Sequence, residues 1–252
     1  MRFFVGLHHP ADARHIAPAF ISVNALRMRK RAFAVGDWIL DSGAFSTILK
    51  YGGYPLPVQE YAEQVERWKD NGNMLAAVTQ DYMCEPAMLA LTGLSVAEHQ
   101  RLTIERYDAL LACDTGAYIM PVLQGYMPED YVTHIDQYGA RLKPGMWLGV
   151  GSVCKRNGAP ELTFRVLNAI KLKRPDLRLH GFGLKTTALY SATIRGLLES
   201  ADSMAWSYAA RKQGRNQNDW REAQAFAALI NGQAARHAQL TERQLSLELC
   251  EV

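Results

Sequence analysis

Short apolar runs recur along the chain, and each stops on a carboxylate, an amide or a glycine. Runs of this length, bounded by turn-forming residues, predict strands buried on both faces. Arg2–Leu7, Ala19–Asn24, Trp38–Asp41, Leu75–Asp81, Tyr118–Gly125, Trp147–Ser152, Leu177–Lys185 and Asp202–Trp206 read this way. Pro121 sits awkwardly in the fifth run, because proline donates nothing to a ladder. Between the runs, apolar residues return at helical spacing. Tyr61, Val65 and Trp68 share one face of a helix predicted over Pro57–Gly72, with Gly72 as its stop. Ser95 and Glu98 form a capping box that opens a helix turning Leu102, Tyr107, Leu110 and Leu111 to a core. Helices are also predicted over Glu129–Leu142, Pro160–Lys173, Leu189–Glu199, Trp220–Asn231 and Glu242–Leu249.

Eight strands that mostly alternate with helices predict a parallel sheet. Eight such units predict closure into a single (β/α)8 TIM barrel of the α/β class, with residues 1–252 as one domain. Functional groups of such barrels gather at the C-terminal ends of the strands. Those ends carry Asn24, Asp41, Asp81, Gln124, Gly149-Val150-Gly151, Gly181-Phe182-Gly183 and Asp202, with Phe45 just beyond Asp41.

Composition narrows the classes. At 48% hydrophobic and 21% charged, the chain has an ordinary globular make-up. Its net charge of +3 permits a nucleic-acid partner without demanding one. No apolar run is long enough to span a membrane. The first apolar stretch is soon broken by His8-His9-Pro10, too early for a signal peptide, so a cytoplasmic protein with no membrane partner is expected. Cys84, Cys113, Cys154 and Cys250 are far apart and form no Cys-x-x-Cys pair, which points to free thiols and to no metal or other cofactor.

Paired carboxylates without a metal suit glycosyl transfer, in which one attacks the anomeric carbon and the other manages the leaving group's proton. A carboxylate with an amide also matches the edge of guanine, which offers N–H donors and a carbonyl acceptor. Phe45 and Phe182 offer rings for such a base, and stacking on an aromatic ring is worth roughly 1–3 kcal/mol. Plainer readings stand beside these. Asp41 also fits a turn, Asp202 a helix cap, and His8, His9 and His180 buried, satisfied imidazoles. The run Arg27–Arg31 reads as solvated surface, and Lys185 as either surface or a phosphate contact. Arg211-Lys212-Gln213-Gly214-Arg215 reads as a flexible basic loop, either solvated or gripping a backbone phosphate.

Five segments in order carry a family resemblance. Asp41-Ser42-Gly43-Ala44-Phe45-Ser46 resembles the Asp-Ser-Gly-Gly-(Phe/Tyr)-Gln motif of the tRNA-guanine transglycosylases. Gln80–Pro86 resembles that family's Phe-Asp-Glu-Cys segment, and Val122-Leu123-Gln124-Gly125 its Val-Gln-Gly. Gly149–Ser152 and His180–Gly183 stand where the family has its Gly-Gly-Leu and Leu-Met-Gly-Val-Gly turns. Within that superfamily the chain is most similar to the DNA-guanine transglycosylases of deazapurine DNA-modification systems.

The resemblance implies an enzyme that replaces guanine in nucleic acid with a 7-deazaguanine derivative through a covalent aspartyl intermediate. DNA is favoured as partner over tRNA, the bound base is a 7-deazaguanine, and a partner subunit is a further expectation. Asp41 would be the acid/base and Asp202 the nucleophile. Asp81 and Gln124 would bind the base edge with Ser42, Gly43, Gly125, Gly149, Val150, Gly151 and Gly183 around it. Phe45 and Phe182 would stack on the base, and Asn24 would orient Asp41. Lys185, Arg211, Lys212 and Arg215 would meet the nucleic acid.

Two departures qualify this. The tRNA enzymes carry Asp-Met-Phe-Asp on the last strand with the second Asp as nucleophile, and an ungapped match puts Ala205 there. Their zinc-binding Cys-x-Cys-x-x-Cys cluster and His have no counterpart in this chain. The alternatives are a barrel that binds nucleic acid or a free deazapurine without turnover and, more weakly, a small-molecule nucleosidase or ribosyltransferase.

Overall fold

A computed structural model describes residues 1–154 and 159–232. The strands are β1 (Arg2–Leu7), β2 (Ala19–Ser22), β3 (Asp37–Asp41), β4 (Asn73–Val78), β5 (Ile119–Met120), β6 (Val122–Leu123), β7 (Trp147–Val150), β8 (Arg178–Gly181) and β9 (Ser200–Ser203). All their pairings are parallel, in the order β5-β4-β3-β2-β1-β9-β8-β7-β6. Among the described residues the count is nine rather than the expected eight, and Pro121 is the reason. It has no N–H to give a ladder, so the extended stretch breaks there into β5, which pairs with β4, and β6, which pairs with β7. The Pro121 carbonyl still accepts the Gly149 N–H at 2.9 Å. The two ends of the sheet are thus neighbours in sequence, and the barrel is nearly closed.

Around the strands lie α1 (Ala44–Tyr51), α2 (Val58–Trp68), α3 (Pro86–Thr92), α4 (Val96–Ala112), α5 (Pro128–Tyr138), α6 (Pro160–Lys173), α7 (Thr186–Tyr190), α8 (Ala192–Leu197), α9 (Ala205–Lys212) and a helical stretch over 220–232. The capping box at Ser95 and Glu98 is formed. In α4, Tyr107 and Leu110 reach the core as expected, Leu102 packs in a smaller cluster beside Tyr82, and Leu111 is exposed, with Ile104 buried instead.

Several boundaries differ from the sequence reading. The second strand ends at Ser22, so Asn24 lies in a 3-10 turn over Val23–Ala25. β4 ends three residues short of Asp81. The helix expected over Leu189–Glu199 is two short helices, because Ser191 closes α7 and its Oγ caps α8 at the Ile194 N–H. The last strand begins two residues earlier than expected, at Ser200, and Ala205 and Trp206 already belong to α9. Arg211 and Lys212 sit on the last turn of that helix rather than in a loop. The expected helix over Glu242–Leu249 lies outside the described residues, as does Cys250. Among the described residues, no helix is long and apolar enough to cross a membrane, and no group of three or more His, Cys, Asp or Glu is placed to hold a metal ion.

The period-two alternation of the strands sorts the side chains into two cores. Phe3, Val5, Ala19, Ile21, Trp38, Leu40, Leu148, Val150 and Leu179 face outward onto the helices. Phe4, Ile39, Ala76, Val78, Met120 and Val122 fill the barrel, with Phe20, Trp147 and Phe182 against them. Asp41 is two residues on from Ile39, Ser22 from Phe20, Gln124 from Val122, and Asp202 from Ser200. The interior register therefore carries those polar groups to one end of the barrel.

Candidate active site

A cavity of about 1040 Å³ opens at the C-terminal ends of the strands. Asp41, Asp81, Gln124 and Asp202 all line it, together with Gly43, Phe45, Gly151, Phe182, Gly183 and Lys185. The structure thus brings both expected acid/base and nucleophile carboxylates, and both base-edge residues, into one space.

Asp41 ends β3, and the chain turns directly into α1. Gly43 makes that turn in the left-handed region at φ +71 and donates its N–H to Asp41 Oδ2 at 3.1 Å. A Cβ on Gly43 would stand 2.3 Å from Asn24 Nδ2. Burial is the main force on the Asp41 carboxyl, and with the negative charge of Asp202 it raises the group to about 6, against the pull of Ser22 and the backbone N–H groups. Asn24 does not reach this carboxyl. It donates to Ser46 Oγ at 2.8 Å and to the Gly43 carbonyl at 3.5 Å, and so ties down the turn, while Ser22 bonds to Asp41 itself.

Asp202 is 5% exposed. Its Oδ1 accepts the Gly183 N–H at 3.0 Å and lies 3.2 Å from His180 Nε2. Behind it, Trp147 Nε1–H donates to Ser200 Oγ at 2.9 Å, and Ser200 Oγ lies 2.8 Å from His180 Nδ1. Indole only donates, so Ser200 Oγ is free to pass its hydroxyl hydrogen to Nδ1, an arrangement that leaves an Nε2–H pointing at Asp202. His180 is fully buried, flat against Phe20 and edge-on to Phe182. Ala205, the ungapped match to the family's nucleophile, starts α9 and adds only a methyl group to the cavity wall.

On the opposite wall, the Gln124 amide donates to Asp81 Oδ2. Gln124 is fixed from behind by its own backbone. Its N–H donates to His134 Nδ1 at 2.9 Å, and its carbonyl accepts from Gln100 Nε2 at 2.8 Å. Burial lowers His134 to about 3, which keeps it a neutral acceptor. Burial likewise raises Asp81 to about 7, with the charges of Asp41 and Glu85 adding to it and the Gln124 bond opposing it.

Two glycines make room here. A Cβ on Gly149 would lie 2.1 Å from the Phe182 ring, and one on Gly151 2.1 Å from Gln124 Nε2. Gly149 therefore acts beneath Phe182, not on the cavity surface. Val150 points outward into the helical core by the strand alternation, and Gly125 packs on Asp130 and Tyr131. Ser42 is buried away from the cavity lining. Arg211, Lys212 and Arg215 do not line it either; the Arg215 guanidinium pairs with Glu222.

The sequence reading gave no role to Glu85, Ser152, Ser22 or Phe20, all of which line the cavity. Strand parity was the available signal for Phe20 and Ser22. Glu85 and Ser152 meet only in three dimensions. Ser152 stands at φ +53, a conformation uncommon for a residue with a Cβ.

The family model described as DpdA, DeoxyPurine in DNA protein A, matches residues 1–219, which contain every element of this site. No curated protein matches the chain.

Proposed function

The chain belongs to the DpdA family, the transglycosylases of deazapurine DNA modification, and on that premise we propose that it exchanges guanine in DNA for a 7-deazaguanine derivative. The observation that carries the reading is the pair Asp41 and Asp202 on one cavity, with Asp41 raised to about 6 partly by the charge of Asp202. Two carboxylates on one cavity in such different surroundings suit a division into acid and nucleophile.

In the proposed reaction, an Asp202 carboxylate oxygen attacks C1′ of the target nucleotide. The C1′–N bond breaks, its electron pair leaves with guanine, and Asp41 supplies the proton. The sugar is then held as an ester of Asp202. The incoming base loses its ring N–H proton to Asp41 and attacks C1′, and the ester bond breaks to restore the Asp202 carboxylate. His180 and the Gly183 N–H aim Asp202 throughout. Asp81 and Gln124 take the base edge, and Phe182 offers its ring with Phe45 at the rim. Lys185 stands at the mouth for a phosphate.

A duplex does not admit this cavity to C1′, so the target nucleotide must leave the stack. Extrusion costs a few kcal/mol, least at unpaired sites. The test is release and incorporation of labelled guanine, run on DNA and on tRNA side by side. Exchange in DNA alone, faster in a bubble than in the matched duplex, is expected. Exchange confined to tRNA would overturn the DNA assignment, and no exchange in either would favour a binding barrel without turnover.

A further inference from the structure

Asp81 and Glu85 are joined through two intervening side chains. The Gln124 amide meets Asp81 Oδ2. Ser152 Oγ lies 2.7 Å from Gln124 Oε1, 3.0 Å from Glu85 Oε2, and accepts the Cys84 N–H at 2.9 Å. All four side chains belong to residues no more than 6% exposed.

The hydrogens in this chain do not balance if both carboxyls are ionised. A hydroxyl donates one hydrogen, and Ser152 faces two acceptors with it. One buried oxygen would then meet another with nothing between them, which is unfavourable away from water, beside two like charges and that of Asp41. One added proton removes the conflict, and two arrangements hold it. With the proton on Glu85, Glu85 donates to Ser152, Ser152 donates to Gln124 Oε1, and Gln124 Nε2 donates to an ionised Asp81. With the proton on Asp81 and the Gln124 amide turned over, Asp81 donates to Gln124 Oε1, Gln124 donates to Ser152, and Ser152 donates to an ionised Glu85. Each arrangement places one hydrogen in every contact of the relay, and the net charge of the pair is the same in both.

We propose that Asp81 and Glu85 share one proton across Gln124 and Ser152 at neutral pH, which makes Glu85 the positioning residue that decides whether Asp81 faces the base as carboxylate or as acid. The inference rests on the base-binding role proposed above for Asp81. A base that donates N–H groups, as guanine does, draws the proton to Glu85. A base that offers an acceptor there draws it to Asp81 and turns the amide.

Among the described residues, the groups around the pair are engaged elsewhere or carry like charge. Asp41 of β3 faces Asp81, and Tyr54 donates to the Asp81 carbonyl at 2.9 Å. From α2, Tyr61 donates to the Val78 carbonyl at 2.8 Å. His99 of α4 is engaged with the Met83 carbonyl at 2.7 Å. Asp130 of α5 is occupied by the N–H groups of Tyr126 and Met127 at 2.8 Å. Cys84 adjoins Glu85, and Cys154 Sγ lies 3.7 Å from Glu85 Oε1. Among the described residues, no ion pair reaches Asp81 or Glu85.

The experiment has two arms. In the first, guanine binding is followed by calorimetry at pH 6 in buffers of different ionisation enthalpy. The wild type should release almost no proton, because the proton moves to Glu85. Glu85→Gln places a fixed amide donor at that end of the relay, which holds Asp81 ionised before the base arrives, so it too should release almost none. Release of about one proton per base by the wild type, as from an Asp81 acid with no partner to take the proton, overturns the proposal. The second arm needs no ligand and no variant. Carboxyl 13C shifts of Asp81 and Glu85 in the free protein at pH 7.5 should sum to one bound proton, and two plain carboxylates overturn it. If guanine does not bind at all, the base-exchange reading fails, and the second arm alone decides the shared proton.

Discussion

Asp41 and Asp202 are the same side chain, placed by the same alternation at the ends of two strands of one barrel. Their settings differ. Asp202 is clamped by a backbone N–H and by a histidine held in its turn by Ser200 and Trp147. Asp41 sits on a sharp glycine turn, where burial and the charge of Asp202 favour its protonated form up to about 6. A clamped carboxylate suits attack on carbon, where position matters most. A carboxyl that changes protonation near neutrality suits proton transfer, where the driving force must be small in both directions.

The largest effect is expected at the clamped member. Asp202→Asn keeps the shape but removes the nucleophile, and exchange measured with labelled guanine should fall by at least about 10³-fold. Next is Asp41→Asn, with a loss of about 10²–10⁴-fold in the same assay. The pH dependence separates the two residues. Guanine release in a single turnover needs Asp41 protonated, so in the wild type it should decline as pH rises past about 6.

The Asp41 setting also costs stability. Its folded value, about 6, lies above the unfolded 3.8. The stability it contributes is full below pH ~4 and is lost as pH rises through about 6. Asp41→Asn should therefore exceed the wild type by on the order of 1–3 kcal/mol in denaturant unfolding at pH 8, with the gap closing toward pH 4. Equal stability at both pH values would mean that Asp41 is not strained by burial.

Away from the pair, effects should shrink and change kind. Asp81→Asn presents a donor where guanine also donates, and base affinity should drop by roughly 10–100-fold, or about 1–3 kcal/mol. Val150→Ala should leave guanine affinity within about twofold despite its place in the middle of a site motif, because the side chain faces the helices.

Val150 also shows what the sequence made legible. Alternation from Leu148 already assigns it outward, and from Phe20 it assigns Ser22, not Asn24, to the interior beside Asp41. The apolar runs gave the strands and their polar ends, and Pro121 marked the place where the fifth run divides. The hydrogen-bonded groups were beyond reach. His180 finds Asp202 across two paired strands, and Ser152 finds Glu85 only because a strained turn after β7 meets the start of α3. The first contact depends on which strands pair and in what register, and the second on barrel closure, neither of which a local pattern encodes.

The most direct test is trapping. Wild-type protein incubated with a guanine-containing DNA oligonucleotide, in the absence of an incoming base, should form an adduct that survives denaturation. Intact mass and peptide mapping should place it within Ser200–Ser203, and Asp202→Asn should form none. An adduct that persists in Asp202→Asn, or that maps to another segment, would contradict the assignment of Asp202 as the nucleophile.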